Sequence, residues 1–304
     1  MKKLLLSFVI ASSLATSALA ELNVVTSFSI LEDIAHNIGK DKVTITSMVK
    51  RNQDPHGYDP SFSDIQNLYK ADLLIVNGLN FESWLNRATQ QANFKGEIIT
   101  VSKGIKTIHL EDDGDEDHHG HDHGDIDPHI WQNPLNGIIM AENVTQAFIA
   151  KDPDNKAFYE KNFEAYSQQL RDLDNKIMEN LQNNPSQPLK GIVLHDSFRY
   201  FTERYPMQFF PILDAHSISE PSVKTFAGIQ KLINDNQIPV IFAESMEQNR
   251  FITTVVNDYK IVNGGQLISD TILDFGKECD SYIGILECNV KTLDQAFETV
   301  RSNQ

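Results

Sequence analysis

The sequence predicts an α/β protein of two lobes, each with a mainly parallel sheet flanked by helices, joined by one long rigid helix. Three observations support this fold class. Short β-rich runs alternate with helical patterns, the alternation starts again after the midpoint of the 304-residue chain, and a long helical pattern separates the halves. Such alternation is typical of parallel sheets. A ligand is then expected in the cleft between the lobes, at the carboxyl ends of the strands.

The first half contains four predicted strands and two predicted helices. Val43–Val49 alternates apolar and polar residues like a half-buried strand, whereas Ile30–Ile38 has helical spacing. The predicted strands are Leu22–Phe28, Val43–Val49, Asp72–Asn77 and Glu97–Val101, and the predicted helices are Ile30–Ile38 and Asp64–Lys70.

The connecting helix is expected over Asp154–Gln182, with a start signal at Asp152-Pro153 and a stop at Asn183-Asn184-Pro185. Apolar residues recur along it at steps of three and four and form one stripe: Tyr159, Phe163, Tyr166, Leu170, Leu173, Ile177 and Leu181. A helix of this length spans roughly 40 Å. It should limit hinge motion, so ligand release would involve loops of the second lobe.

The second half has three predicted strands, Gly191–Leu194, Gln208–Ile212 and Pro239–Ala243, with helical segments between them. The two cysteines are Cys279 and Cys288, and the segment with helical spacing, Ser281–Val290, contains the second of them. Eight residues of helix rise about 12 Å, whereas a disulfide needs Cα atoms within about 7 Å. The spacing therefore disfavours a disulfide unless Cys279 folds back from the start of the helix.

The first twenty residues have the features of a cleavable export signal. Lys2-Lys3 is a basic start, Leu4–Ile10 an apolar core, and Ala18-Leu19-Ala20 a cleavage site. The core is too short for a membrane span, and no cysteine follows the cleavage site for lipid attachment. We expect a soluble periplasmic protein divided into a signal (1–20), a first lobe (21–153) with a His/Asp-rich loop (111–125), a connecting helix (154–182) and a second lobe (183–304).

The formal net charge of −16 excludes the partners that need a basic surface. Nucleic acids and anionic membranes attract Lys- and Arg-rich patches, so neither is expected to bind. An acidic protein suits a cationic cargo, although many exported proteins are equally acidic.

Four of the ten histidines lie in the acidic run Asp112–Asp125. Imidazole nitrogen and carboxylate oxygen are common metal ligands, so this tract indicates metal handling, although a solvated acidic loop has the same composition. We expect at most a weak accessory metal site there, formed by His118, His119, His121 and His123.

Three other histidines occupy more ordered surroundings. His56 and His129 each follow an Asp-Pro pair, and His195 comes directly after the predicted strand Gly191–Leu194. A single histidine of this kind is more often a hydrogen-bonded residue than a ligand. Three of them across both lobes favour one shared metal site, which a carboxylate from the second lobe would complete as a tetrahedral zinc set.

Ordered motifs run along nearly the whole mature chain. The first half contains V-V-T-S-F-S-I-L-E-D-I-A-H-N-I-G, Q-D-P-H-G-Y-D-P-S-F-S-D-I, A-D-L-L-I-V-N-G-L-N-F-E-S-W-L and D-P-H-I-W-Q-N-P. The second contains L-H-D-S-F-R-Y-F-T-E-R-Y, S-E-P-S, V-I-F-A-E-S and L-I-S-D-T-I-L. With these motifs the chain resembles the metal-specific solute-binding proteins of ABC transporters, the ZnuA-like and TroA-like family.

The resemblance implies four metal ligands, with His56 and His129 from the first lobe and His195 and Asp270 from the second. In the family, zinc binders commonly carry histidine at the position of His195 and manganese binders often carry glutamate. Asp274 and Asp280 are alternatives to Asp270, which would otherwise be a turn or capping residue. The resemblance also implies that Glu244 lies beside the site without binding the ion.

We therefore expect a periplasmic zinc-binding component of an ABC transporter, a monomer that delivers the ion to an inner-membrane permease. A manganese-specific protein and a metal-binding adhesin are the alternatives from the same family. A zinc hydrolase with Asp196 or Glu244 as general base is a third reading, but no H-E-x-x-H motif is present. Four protein ligands would also close the site to catalytic water, so no enzyme is expected.

Overall fold

The computed structural model describes residues 22–110, 126–186, 188–215, 223–244 and 249–303. The predicted export signal and the His/Asp-rich loop 111–125 lie outside these ranges. Two four-stranded parallel sheets form the lobes, which confirms the predicted fold class.

The first sheet has the order β2-β1-β3-β4. Its strands are β1 (Leu22–Thr26), β2 (Val43–Ser47), β3 (Leu73–Val76) and β4 (Glu97–Thr100). The central β3 is buried along its whole length, as expected for a strand covered on both faces. The helices around the sheet are α1 (Ser29–Gly39), α2 (Phe62–Lys70), α3 (Leu85–Gln91) and α4 (Pro134–Lys151).

Local signals fix the starts of the helices near the predicted site. Ser61 caps α2, and the Asp64 carboxylate accepts the Ser61 N–H at 2.8 Å, which is a capping box. The side chain of Asn133 accepts the Leu135 N–H at 2.9 Å and caps α4, with Pro134 at the first helical position. Both caps hold the loops that carry His56 and His129.

The connecting helix α5 (Lys156–Gln182) begins two residues later than predicted, because Pro153–Asn155 forms a short 3-10 turn. The Tyr159 hydroxyl donates to Asp152 at 2.7 Å and ties this turn to the helix. Most of the predicted apolar stripe of α5 is buried.

The second sheet has the order β6-β5-β7-β8. Its strands are β5 (Leu189–His195), β6 (Met207–Leu213), β7 (Val240–Ala243) and β8 (Val262–Gln266), and its helices are α6 (Arg199–Arg204), α7 (Val223–Asn236), α8 (Asn249–Tyr259) and α9 (Tyr282–Ser302). Helix α5 packs against α1 and α4 of the first lobe and against α9 of the second.

Strand β8 was not predicted, because its sequence V-N-G-G-Q lacks apolar alternation. Tertiary packing explains why a glycine stands within this strand. A Cβ atom on Gly264 would lie 2.4 Å from the Phe242 ring, so the ring occupies the space that a side chain would fill.

Cys279 and Cys288 form a disulfide with a Cα–Cα distance of 6.0 Å, which corrects the expectation from spacing. Helix α9 starts at Tyr282, so Cys279 stands outside it. The backbone of Cys279 has a φ of 71° and turns the chain back toward the helix. The helical rise between the two residues therefore does not apply over the full interval.

Candidate metal centre

Four predicted ligands converge at the carboxyl ends of the strands. His56, His129, His195 and Asp270 each offer one ligand atom, and these atoms all lie within 4.8 Å of one another. His56 follows β2, His195 is the last residue of β5, and Asp270 follows β8. His129 precedes the 3-10 turn Ile130–Gln132. Residues from both lobes thus meet in one cluster, at the edge where parallel α/β sheets bind ligands.

The four groups face one another, and Oδ2 of Asp270 also accepts a hydrogen bond from the Ser269 hydroxyl at 2.9 Å. The Nε2 atoms of His195 and His56 lie 3.2 and 3.5 Å from Oδ2 of Asp270, and Nε2 of His129 lies 3.7 Å from its Oδ1. The three Nε2 atoms and Oδ1 of Asp270 are buried and make no hydrogen bond among the described residues. Buried polar atoms are nearly always satisfied. Three nitrogens and one oxygen at this separation fit a tetrahedral divalent cation.

The charges in the cluster are strongly coupled. Burial favours neutral His195, but the carboxylates of Glu244 and Asp270 outweigh it and raise the pKa of His195 well above its usual range. Burial alone would raise the pKa of Asp270, but His195, with help from His56 and His129, lowers that pKa well below its usual range. Without an ion, a protonated His195 and an ionised Asp270 therefore balance each other.

Asp127 orients His129. The carboxylate Oδ1 of Asp127 lies 2.7 Å from Nδ1 of His129 and accepts the His129 N–H at 2.9 Å. Both side chains are completely buried. With the proton on Nδ1, the Nε2 lone pair points to the cluster, which is the usual carboxylate–histidine–metal arrangement. Sequence reasoning missed this role, although its signal was present: the aspartate of the Asp-Pro-His motif.

Glu244 orients His195 in the same way. Its Oε1 accepts the N–H groups of Leu194 and His195, each at 2.9 Å, and its Oε2 contacts Nδ1 of His195. Glu244 directly follows β7, next to β5 in the sheet, so strand pairing brings the two residues together. These contacts suit the supporting role predicted for Glu244.

Aromatic side chains form an apolar wall behind the histidines. The ring centre of Phe81 lies 5.1 Å from that of His56, and the Trp131 ring centre lies 5.3 Å from that of His129. Phe81 and Trp131 also contact each other. Apolar surroundings lower the local dielectric and strengthen the interaction of a cation with its ligands. Nothing in the sequence pattern singled out Phe81.

The alternative ligands lie elsewhere. The Asp274 carboxylate accepts from Asn52, and the Asp280 carboxylate accepts the Gly276 N–H at 2.9 Å. Asp196, the general base considered for a hydrolase, accepts from Arg199 at 2.5 Å. None of these three belongs to the cluster found among the described residues. The accessory candidates His118, His119, His121 and His123 lie outside the described ranges.

The family is decided by sequence comparison. A family model described as "Zinc-uptake complex component A periplasmic" matches residues 24–296. The chain belongs to this family of metal-specific solute-binding proteins. Such a protein is the substrate-binding component of an ABC transporter, which implies a metal ion as cargo and a membrane permease as partner. It is a transport protein and not an enzyme, so the hydrolase reading is excluded.

The names of the relatives specify either manganese or no particular metal. The metal ABC transporter substrate-binding lipoprotein SsaB of Streptococcus sanguinis is 32% identical over 289 residues, which cover 93% of this chain and 91% of that protein. The manganese ABC transporter substrate-binding lipoprotein PsaA of Streptococcus pneumoniae is 33% identical over 283 residues, which cover 91% of this chain and 89% of that protein.

Solved structures of the family share the fold. The Mn-bound periplasmic metal binding protein from Candidatus Liberibacter asiaticus matches with a TM-score of 0.78 and 26% identity, covering 91% of this chain and 98% of that chain. The periplasmic zinc binding protein TroA from Treponema pallidum matches with a TM-score of 0.80 and 23% identity, covering 91% and 99%. At 23% identity, the likeness to TroA bears on the fold alone.

Within the part of this chain that the structure describes, no helix is both long and apolar enough to cross a bilayer.

Proposed function

We propose that this protein captures zinc in the periplasm and delivers it to an inner-membrane ABC permease. The observation that carries the proposal is the convergence of three buried imidazole nitrogens and one carboxylate within 4.8 Å. In this proposal His56, His129, His195 and Asp270 are the four ligands of the ion. Because the protein supplies all four, no position stays open for a reacting water, as suits capture and release.

The donor set favours zinc over manganese. Imidazole nitrogen suits zinc, whereas manganese prefers carboxylate, carbonyl and water oxygens. The set here has three nitrogens and one carboxylate, and Asp127 and Glu244 make two of the imidazoles more basic through their Nδ1 atoms. The histidine at position 195 also agrees with the pattern that the family resemblance assigns to zinc binders.

Manganese is the second candidate, and it rests on the relatives. The PsaA protein of Streptococcus pneumoniae is named as a manganese transporter lipoprotein, and the Candidatus Liberibacter asiaticus protein has been solved with manganese bound. A four-ligand site with an aspartate also accepts manganese if the cell supplies it in excess.

Localisation and organisation complete the proposal. The basic start, apolar core and small-residue cleavage site of residues 1–20 support export and cleavage after Ala20. We propose a monomer divided into a first lobe (21–153), a connecting helix (154–182) and a second lobe (183–304).

The test of metal identity is direct. The protein is purified without added metal and its metal content is measured, and zinc and manganese are then titrated in competition against a chelator at pH 7.5. Zinc is expected in the purified protein, with one tight site and zinc binding preferred over manganese. Tighter binding of manganese under matched conditions would replace zinc with manganese as the cargo, and failure to bind either ion would overturn the function.

Substitution of the ligands tests the site itself. A four-ligand zinc site contributes roughly 10–16 kcal/mol, or about 3 kcal/mol per ligand, which corresponds to about 100-fold in affinity. His195→Ala is therefore expected to weaken zinc binding about 100-fold. His36→Ala is the matched control, because His36 lies exposed on α1. Equal affinities of the two variants would refute the assignment of His195.

A further inference from the structure

The segment of residues 269–280, here called the Asp270 segment, comes from the second lobe but contacts the first. The carbonyl of Ser269 accepts two hydrogen bonds from the first lobe, at 2.7 Å from Nε1 of Trp131 and at 2.8 Å from Nε2 of Gln132. Both donors are buried and lie close to His129 in the chain. The residue next to Asp270 is thus held by the same turn that carries a first-lobe ligand.

Arg51 and Asn52, in the loop between β2 and His56, hold the rest of the Asp270 segment. Nη1 of Arg51 donates to the carbonyls of Leu273 at 3.0 Å and Asp280 at 2.8 Å. The Arg51 guanidinium also lies 3.7 Å from the ring centre of Phe275. A single first-lobe side chain therefore joins both ends of the 273–280 turn and stacks on its middle.

Asn52 adds a backbone contact to the same region. Its N–H donates to the carbonyl of Ile272 at 3.1 Å, and its side-chain amide donates to Asp274. The Ile272 N–H in turn donates to Ser29 of the first lobe at 3.1 Å. Two residues beyond Asp270, the chain is therefore paired with the first lobe through both of its backbone groups.

The second lobe holds the Asp270 segment at its two ends. Asn289 of α9 pairs with both backbone groups of Ile268, at 2.7 and 2.8 Å, and the disulfide ties Cys279 to Cys288. Between these two anchors the segment spans the cleft and rests on the first lobe. His195 is fixed on β5 by Glu244, both in the second lobe.

We propose that Arg51 is a positioning residue for Asp270: it fixes the Asp270 segment to the first lobe and so holds the Asp270 carboxylate against His56 and His129. The inference rests on the proposed capture of a metal ion at this site. Asp270 then keeps its place relative to His56 and His129. This differs from the expectation that loops of the second lobe rearrange to release the ion, because here the Asp270 segment stays with the first lobe.

The chemistry of arginine explains why this residue type stands at position 51. A guanidinium presents several donors in a fixed plane and stacks on an aromatic ring, whereas an ammonium is a compact point charge. Two carbonyls and a ring are the partners that such a plane satisfies together. Arg51→Lys keeps the charge but replaces the planar guanidinium with a single ammonium. It is therefore expected to lose most of the positioning of Asp270.

The test compares Arg51→Ala with Arg87→Ala. Arg87 is the matched control, because it forms an exposed ion pair with Asp59 on the first lobe. Zinc affinity is measured by competition with a chelator, and zinc dissociation by rapid mixing with excess chelator. Arg51→Ala is expected to weaken zinc binding roughly tenfold, which corresponds to about 1.4 kcal/mol. Arg87→Ala is expected to match the wild type.

A coupling measurement separates positioning from general damage. If Arg51 acts through Asp270, Arg51→Ala has no further effect on zinc affinity in an Asp270→Ala background but keeps its effect in a His195→Ala background.

Hydrogen exchange adds a readout in the metal-free protein. The Ile272 amide is expected to stay protected in the wild type and to exchange faster in Arg51→Ala. If Arg51→Ala does not fold, Asn52→Asp is used, because it sets a carboxylate against Asp274.

The outcomes distinguish this inference from the proposed function. Wild-type protein that binds neither zinc nor manganese overturns both. Wild-type protein that binds one of them while Arg51→Ala binds it equally well overturns only the role of Arg51, and so does an equal effect of Arg51→Ala in both ligand backgrounds. An effect confined to proteins that keep Asp270 supports the assignment, whichever of the two ions binds.

Discussion

The affinity for zinc should change with pH because the ion must displace a proton from His195. In the metal-free protein, burial opposes protonation of His195, but Glu244 and Asp270 outweigh it and raise the pKa of this imidazole well above its usual range. Only a neutral imidazole coordinates a metal ion. At a pH below this raised pKa, His195 carries a proton that zinc has to release, so acidification weakens binding.

The size of the effect follows from one displaced proton. While the pH stays below the raised pKa of His195, each pH unit changes the affinity about tenfold, or about 1.4 kcal/mol. An imidazole with an ordinary pKa of about 6.5 would change the affinity only about 1.3-fold between pH 8 and pH 7. The pKa of Asp270 lies well below its usual range, so Asp270 stays ionised throughout and adds no proton to this interval.

The assay is a chelator competition for zinc at pH 8.0, 7.5 and 7.0, with calorimetry in buffers of different ionisation enthalpy to count released protons. A change close to tenfold and about one proton per ion are expected. Glu244→Gln keeps the size of the side chain and removes the main cause of the raised pKa, so its pH dependence should be shallower. A wild-type change near 1.3-fold with no proton release would refute the reasoning.

Three further predictions concern stability and the acidic loop. Replacing Cys279 and Cys288 by serine should lower the free energy of unfolding by about 2 to 3 kcal/mol, because the bond closes a short loop, as urea denaturation would measure. Asp174→Ala should cost about 3 kcal/mol in the same assay, because the buried Tyr205 hydroxyl and Arg204 lose their acceptor; an unchanged midpoint would contradict it. Deleting Asp112–Asp125 should remove weak zinc binding and leave one tight site in a calorimetric titration, and loss of the tight site would rule out an accessory role.

Much of the fold could be predicted from local patterns. Strand β3 and helix α5 occur within two residues of their predicted positions. A strand buried on both faces has a continuous apolar run, and a helix buried along one stripe has apolar residues at steps of three and four, so both can be recognised in the sequence. Strand β8 has no such apolar pattern, because the Phe242 ring fills the space where a side chain at position 264 would lie, so this position is a glycine. The disulfide was disfavoured for a similar reason, since the backward turn at Cys279 is not visible in residue spacing.

The sequence by itself determined the class of fold, and it predicted the candidate ligand residues and the strand ends that carry them. The Asp-Pro-His motifs and the histidine at the end of β5 pointed to a metal before any contact was known. Only the tertiary structure decided that Asp270, rather than Asp274 or Asp280, faces the three imidazoles. Only the tertiary structure also shows Arg51 joined to a segment more than 220 residues away. The physical reason is that periodicity records which side of an element is buried, whereas a site depends on packing between elements that the chain brings together from afar.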